Sequence, residues 1–154
     1  FFNNVLIPQI AHFKKSFGSE AFPITSTKKC GLQLNTFWVN VQKKYEFQLP
    51  VHHHYGVFSF VIWIKIPASS QEEMELPFVK KSRSQLPNTF QFLYTNSVGE
   101  ISTHNYSLNP SYEGTMLFFS SKLNHCVYPF YSSNKKRISI SGNISLNPEA
   151  SIDA

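Results

Sequence analysis

Three consecutive histidines, His52, His53 and His54, stand two residues before the apolar run "VFSFVIWI". A buried imidazole without a partner costs desolvation energy, whereas neutral imidazoles are common ligands of transition metals. Because side chains alternate along a strand, His52 and His54 are expected on the inward face and His53 on the outward face. This spacing is typical of a metal site, and an exposed polar strand end is the competing interpretation.

A second group of candidate residues comes late in the chain, in "NHCVYPFYSSNKKRISIS". His125 precedes Arg137 by twelve positions, and Arg137, Ser139 and Ser141 share one face of a predicted strand. A guanidinium with a hydroxyl beside it can bind a carboxylate through several hydrogen bonds. A solvated strand edge explains the same residues, so both interpretations stay open at this point.

Composition restricts the chemistry further. The chain has 154 residues, of which 42% are hydrophobic and 16% aromatic, so a sizeable core in one domain over residues 1–154 is expected. Its only aspartate is Asp153, next to the end, so a carboxylate that takes part in chemistry must be a Glu or come from a ligand.

The net charge of +5 arises from 14 Lys and Arg against 9 Asp and Glu. Short cationic groups carry the excess, and such groups are typical of solvated loops and strand ends rather than of a nucleic-acid surface. They are Lys14–Lys15, Lys28–Lys29, Lys43–Lys44, Lys80–Lys81 and Lys135–Lys136–Arg137.

No apolar run reaches the roughly 18 residues of a membrane span. Two cysteines, Cys30 and Cys126, form no disulfide scaffold, which favours a reducing cytoplasm.

The pattern of apolar and turn residues predicts a mainly β protein with one helix near the start. Pro8 suits a first helical turn, and Gly18 suits the end of that helix. Between the predicted strands, 71–86 is polar and is expected to be a loop or short helix over the mouth of a sandwich or barrel. The predicted strands are Leu32–Val41, Val57–Ile66, Thr89–Tyr94, Ile101–Leu108, Thr115–Phe119, Cys126–Tyr131 and Arg137–Ile144.

Taken together, His-x-His, a distal His and a downstream Arg-x-Ser resemble the 2-oxoglutarate- and iron(II)-dependent oxygenases of the prolyl-4-hydroxylase-like branch. The resemblance is strongest to a phage-encoded group whose substrates are unassigned. It extends over 37–144 and is carried by "WVNVQKKYEF", "HHHYGVFSFVIWIKIP", "SYEGTMLFFSSKLNHCVYPFY" and "RISISGN".

This resemblance implies a double-stranded β-helix (a jelly roll, as in the cupins), Fe(II) and 2-oxoglutarate. It gives His52, His54 and His125 the metal-ligand and catalytic positions, although His54 stands where the usual pattern has Asp or Glu. Arg137 would pair with the distal carboxylate of 2-oxoglutarate, with Ser139 assisting. Tyr94 is a further candidate contact for this cosubstrate.

The activity expected from the resemblance is hydroxylation of a peptide, or of another protein or small-molecule substrate, in the cytoplasm of an infected host cell. An inactive barrel of the same fold, used in a phage particle or a homo-oligomer, is the main alternative, and the missing carboxylate favours it. A cupin-type enzyme without 2-oxoglutarate has no need of the Arg-x-Ser pair. A nucleic-acid-binding barrel leaves the histidines unexplained, and no membrane partner is expected.

Overall fold

The computed structural model describes residues 1–18 and 30–151 of the chain. The Lys28–Lys29 pair and Asp153 lie outside these residues. At the start, the π-helical turn Phe2–Leu6 continues into helix α1, Ile7–Phe17. Gly18 follows at φ 79°, a positive backbone angle that glycine adopts without steric cost, so the predicted first helix and its end are confirmed.

Eight strands and two further short helices make up most of the rest. The described part of the chain is therefore mainly β, as predicted. The strands are β1 (Cys30–Gln42), β2 (Gln48–Val51), β3 (Phe58–Lys65), β4 (Thr89–Thr95), β5 (Ile101–Ser107), β6 (Met116–Ser120), β7 (Asn124–Val127) and β8 (Arg137–Ser151). The short helices are α2 (Ser70–Met74) and α3 (Pro77–Lys80), and Pro110–Tyr112 forms a 3₁₀ turn.

The strands form two four-stranded antiparallel sheets. The first sheet has the order β1-β8-β3-β6 and the second the order β2-β7-β4-β5. Sequence neighbours therefore lie in different sheets at several points, and β4 with β5 is the one pair of consecutive strands that are bonded to each other in the described sheets. Strand β8 is central in the first sheet, where Ile140 pairs with Val39 on one side and Ile62 on the other.

Two apolar clusters stabilise this arrangement. The first lies between the sheets and contains Val61, Trp63, Ile66, Phe90, Phe92, Leu108 and Phe119. The second joins helix α1 to the outer face of the first sheet through Leu6, Ile10, Val57, Phe58, Phe60 and Ile144. Full burial of each large apolar side chain contributes about 1.5–3 kcal/mol, so these clusters fix the sheets against each other.

Strand prediction from sequence succeeds for long alternating segments and fails for a short one. Strand β2 is absent from the predicted strands because it has only four residues and contains Pro50, which lowers strand propensity. Strand β7 begins and ends earlier than predicted, and Pro129 follows it. Tyr94, the further candidate contact for the cosubstrate, lies on β4 and is 45% exposed. In the described ranges, no helix is long and apolar enough to cross a bilayer.

Candidate functional site

A cavity of about 510 Å³ lies between the two sheets. Strands β1, β3 and β8 supply one wall, and β4, β6 and β7 contribute aromatic and imidazole side chains. The residues that line it include Trp38, Asn40, Gln42, Phe47, His53, Phe60, Trp63, Phe90, Phe119, His125, Arg137, Ser139 and Ser141. Arg137 lies at the start of β8 and the imidazoles lie on β7 and beside β2, so the cavity has an arginine end and an imidazole end.

At the arginine end, Arg137 is only 3% exposed and its guanidinium is held by neutral oxygens. Nε and Nη2 both donate to Gln42 Oε1, at 3.1 and 2.6 Å. Nη2 also donates to the Tyr128 carbonyl at 2.8 Å, and Nη1 donates to Asn88 Oδ1 at 2.7 Å. Phe130 lies under the guanidinium, 5.4 Å from its central carbon to the ring centroid.

This cation lacks an ion-pair partner among the described residues. Burial lowers the pKa of Arg137 to about 10, and the nearby Glu73 carboxylate only partly offsets that effect. Glu73 is itself occupied, accepting bonds from the backbone N–H groups of Tyr131 and Ser132, each at 2.8 Å, and from the Ser132 hydroxyl. A buried charge that is not neutralised costs stability, so an anionic ligand is the partner that this position favours.

Beside the guanidinium, a row of polar groups follows the cavity wall. Asn40 on β1 donates to the hydroxyls of Ser139 and Ser141 on β8, at 3.4 and 3.1 Å. Trp38 donates its indole N–H to Asn40 Oδ1 at 3.1 Å. These residues share the inward face because Trp38 pairs with Ser141, and Asn40 pairs with Ser139, across two antiparallel strands.

At the imidazole end, His125 on β7 is 6% exposed. Its ring stacks on Phe90 at 5.7 Å between centroids and contacts the edge of Phe119 at 5.1 Å. Nδ1 donates to the Leu123 carbonyl at 3.0 Å. Burial lowers the pKa of His125, so the ring is neutral near pH 7 and Nε2 keeps its lone pair.

The histidine triplet forms a turn rather than a strand. Strand β2 ends at Val51, and the chain bends before β3 begins. His53 lines the cavity, with its ring 5.5 Å from that of His125 and 5.7 Å from that of Trp38. His52 donates Nδ1–H to Asn124 Oδ1 at 3.1 Å, and its ring lies 4.3 Å from that of the exposed His54.

Ser121 and Gly56 hold this turn in place. The His53 backbone N–H donates to the Ser121 carbonyl at 2.8 Å, and Gly56 N–H donates to the His53 carbonyl at 3.2 Å. The Ser121 hydroxyl donates to the Gly56 carbonyl. A Cβ at Gly56 would lie 2.8 Å from Ser121 Cβ, so glycine permits this close approach.

The structure brings some of the predicted residues together and separates others. His125, Arg137 and Ser139 line one cavity, whereas His54 is exposed, and Tyr94 is not among the described residues that line the cavity. The prediction that His53 points away from the cavity is wrong, because strand alternation does not apply to a turn.

Gln42 and Asn88, which hold the guanidinium, are absent from the residues that the sequence indicates. Gln42 is adjacent to Arg137 only through the pairing of β1 with β8. For Asn88 the sequence gives only a weak indication of a structural role, namely its position directly before a predicted strand. It adopts φ 50° and is fully buried, and its side-chain amide donates to the Ala68 and Leu108 carbonyls at 2.6 and 2.9 Å.

The donors at the imidazole end fit an iron(II) ion chemically, because neutral imidazole nitrogens are suitable ligands. His52 is close enough to lower the pKa values of both His53 and His125, after the larger effect of burial. Asn124 and the Leu123 carbonyl orient two of these rings, as second-sphere partners of metal-bound histidines do. Within the described ranges, however, no three His, Cys, Asp or Glu side chains are close enough to hold a metal ion as they lie.

A family model described as "Putative 2OG-Fe(II) oxygenase" matches residues 36–143. This range begins on β1, ends on β8 and includes every described residue that lines the cavity. No curated protein matches the chain.

Proposed function

Because the chain belongs to the 2OG-Fe(II) oxygenase family, we propose that it is a dioxygenase that uses Fe(II) and 2-oxoglutarate to hydroxylate its substrate. One structural observation supports this proposal independently of the family match. A buried guanidinium without a carboxylate partner among the described residues shares a cavity with neutral imidazoles. An oxygenase of this kind needs one group for the distal carboxylate of the cosubstrate and another for the metal.

We assign the distal carboxylate to Arg137. Its guanidinium has five N–H groups, and one Nη1 hydrogen is left after the bonds to Gln42, Asn88 and Tyr128. The Ser139 hydroxyl would add a second donor. Gln42 and Asn88 keep the guanidinium plane fixed, and burial strengthens its attraction for a carboxylate because little water screens the charge.

Iron, when bound together with 2-oxoglutarate, supplies the oxygen activation in this class of enzyme. The ligand set of His52, His54 and His125 stays a prediction from sequence. His53 competes with His54 for the third position, because His53 lines the cavity and contacts the His125 ring. The protein's own contribution is to bury His125, which lowers its pKa and favours the neutral ring, and to orient His52 through Asn124 and His125 through the Leu123 carbonyl.

We also propose that the two sheets form a double-stranded β-helix and that the oxygenase domain extends over 1–154. The strand orders β1-β8-β3-β6 and β2-β7-β4-β5 support this architecture, because successive strands alternate between the two sheets, except at the β4–β5 hairpin, as in a jelly roll. A prolyl-4-hydroxylase-like activity on a peptide, a phage origin and a location in the host cytoplasm remain proposals from the sequence resemblance. Tyr94 remains only a sequence-based candidate for cosubstrate contact.

An inactive barrel of the same fold, acting as a structural part of a virion or a homo-oligomer, is the second candidate. It is favoured by the imidazole end itself, where the described residues include no group of three His, Cys, Asp or Glu side chains placed to hold a metal ion. Iron-binding oxygenases usually combine two histidines with one carboxylate.

Anaerobic loading with Fe(II), followed by oxygen and 2-oxoglutarate, separates these candidates. We expect bound iron and succinate production in the wild type and loss of both in His125→Ala. His104→Ala is the matched control, because His104 is an exposed histidine on β5. Equal iron content in the wild type and His125→Ala would contradict a metal site here. Iron binding without 2-oxoglutarate turnover would favour the structural role.

A further inference from the structure

Three connecting segments that are distant in sequence meet beside the arginine end of the cavity. The Tyr45 backbone N–H donates to the Phe130 carbonyl at 3.0 Å, which joins the β1–β2 connection to the β7–β8 connection. The Tyr131 ring then contacts Tyr45 at 5.7 Å and Phe78 of α3 at 4.9 Å between centroids. Residues 43–47, 77–83 and 131–136 thereby form one continuous surface, which we call the basic–aromatic face.

Half of the cationic side chains of the chain belong to this face. Seven of the 14 Lys and Arg residues lie on its three segments: Lys43, Lys44, Lys80, Lys81, Arg83, Lys135 and Lys136. Exposed carboxylates nearby are Glu46, Glu72 and Glu75, and Glu75 pairs with Lys80. The face therefore carries most of the net charge of +5, although each lysine pair by itself is typical of an ordinary solvated loop.

Aromatic rings are exposed among these cations. Tyr45 is 60% exposed, Phe47 is 63% exposed and Phe78 is 53% exposed. Lys44 Nζ lies 5.2 Å from the centroid of the Tyr45 ring. Exposed rings need an explanation where they cluster, because burial elsewhere in the protein would stabilise them more.

From this combination we propose that the basic–aromatic face binds single-stranded nucleic acid. Lysine and arginine side chains neutralise phosphates, and exposed aromatic rings offer surfaces on which unpaired bases stack. An acidic peptide would form ion pairs with the cationic side chains but would leave the exposed aromatic rings without a stacking partner. The presence of both cations and exposed rings on three neighbouring segments suits a flexible strand that has both phosphates and flat bases.

The face adjoins the cavity, since Phe47 and Glu46 line the cavity and are exposed. A strand bound across Tyr45 would pass beside these two residues of the cavity lining. Binding to the face requires neither iron nor 2-oxoglutarate, so its test is independent of the proposed oxygenase activity.

Fluorescence anisotropy with a labelled oligothymidine of about 15 nucleotides, within the range of single-strand site sizes, tests the proposal. We expect Lys43→Glu/Lys44→Glu to weaken binding at least tenfold and to reduce the dependence of affinity on salt. Lys14→Glu/Lys15→Glu is the matched control, because it changes the net charge equally on helix α1 and should have little effect. Equal weakening by the two double variants would overturn the proposal.

The aromatic part is tested at Tyr45. Tyr45→Ala should weaken binding by about fivefold or more, as expected for loss of one stacked base, whereas Tyr45→Phe should retain affinity because it keeps the ring. Urea unfolding checks that Tyr45→Ala remains folded. An unchanged affinity in folded Tyr45→Ala, or displacement of the oligonucleotide by an equal charge of polyglutamate, would show that the face recognises charge alone and would refute the proposal.

Discussion

The two ends of the cavity are built differently. Arg137 lies at the start of a central strand, and oxygens from β1, the start of β4 and the segment after β7 fix its guanidinium. At the other end, only His125 lies on a strand, and the histidine triplet occupies a turn after β2. Arg137 is 3% exposed, whereas His54 is exposed and His52 and His53 are half-buried.

This difference shows where the site is rigid and where it can adapt. The guanidinium has its orientation before any ligand arrives, which reduces the entropy lost when a carboxylate binds. The triplet depends on a few backbone bonds to Ser121 and on the lack of a side chain at Gly56. Binding of a metal can therefore select among His52, His53 and His54 more easily than any ligand can move Arg137.

The largest expected effect is at the arginine end. Arg137→Ala leaves Asn88 Oδ1, Gln42 Oε1 and the Tyr128 carbonyl without their donor, and each lost bond costs about 1–3 kcal/mol. Removal of the buried charge offsets part of that cost, so we expect the free energy of unfolding to fall by about 2–4 kcal/mol in urea titrations. Lys136→Ala, at the exposed neighbouring position, should change it by under about 0.5 kcal/mol.

Arg137→Lys is the next most severe change, because lysine keeps a charge but loses the planar group. Calorimetry should show 2-oxoglutarate binding weakened by about 1–3 kcal/mol, the value of a hydrogen bond to a charged group. Unchanged affinity would mean that the cosubstrate carboxylate binds elsewhere and that the arginine end of the cavity does not bind 2-oxoglutarate.

A smaller effect distinguishes the residues of the triplet. If His53, which lines the cavity, is the third metal ligand, His53→Ala should lower iron affinity about tenfold, or about 1.4 kcal/mol, and His54→Ala should lower it less. If His54 is the third ligand, as strand alternation predicts, His54→Ala should lower iron affinity more than His53→Ala does. In that case His54→Asp should raise 2-oxoglutarate turnover by restoring a carboxylate ligand. Iron content and succinate production of the three variants decide between the two sets.

The smallest effect concerns pH in the metal-free protein. Burial lowers the pKa values of His125 and His53 below 6.5, so the unfolded chain binds more protons than the folded chain just below that pH. The free energy of unfolding should therefore decrease as pH falls through 6.5 toward the folded-state values. His125→Asn should make this decrease shallower, whereas His104→Asn, at an exposed site, should leave it unchanged. Parallel curves for all three proteins would contradict a buried neutral His125.

Sequence alone determined the features that depend on local chemistry. Alternation in "RISIS" put Arg137, Ser139 and Ser141 on one face, and the structure has all three on the cavity wall. The helix ending at Gly18 and most of the long strands were also predictable from propensity and turn residues, because these preferences act over a few neighbouring residues.

Tertiary structure decided the features that depend on distant contacts. Gln42 and Asn88 reach Arg137 only because β1, the start of β4 and β8 come together, and nothing adjacent to them in sequence indicates that role. His53 turns inward because Ser121, 68 positions later, binds its backbone and packs against Gly56. The lysine pairs form one face for the same reason. Hydrogen bonds and close packing between distant segments set these directions, and periodicity within one segment carries no information about them.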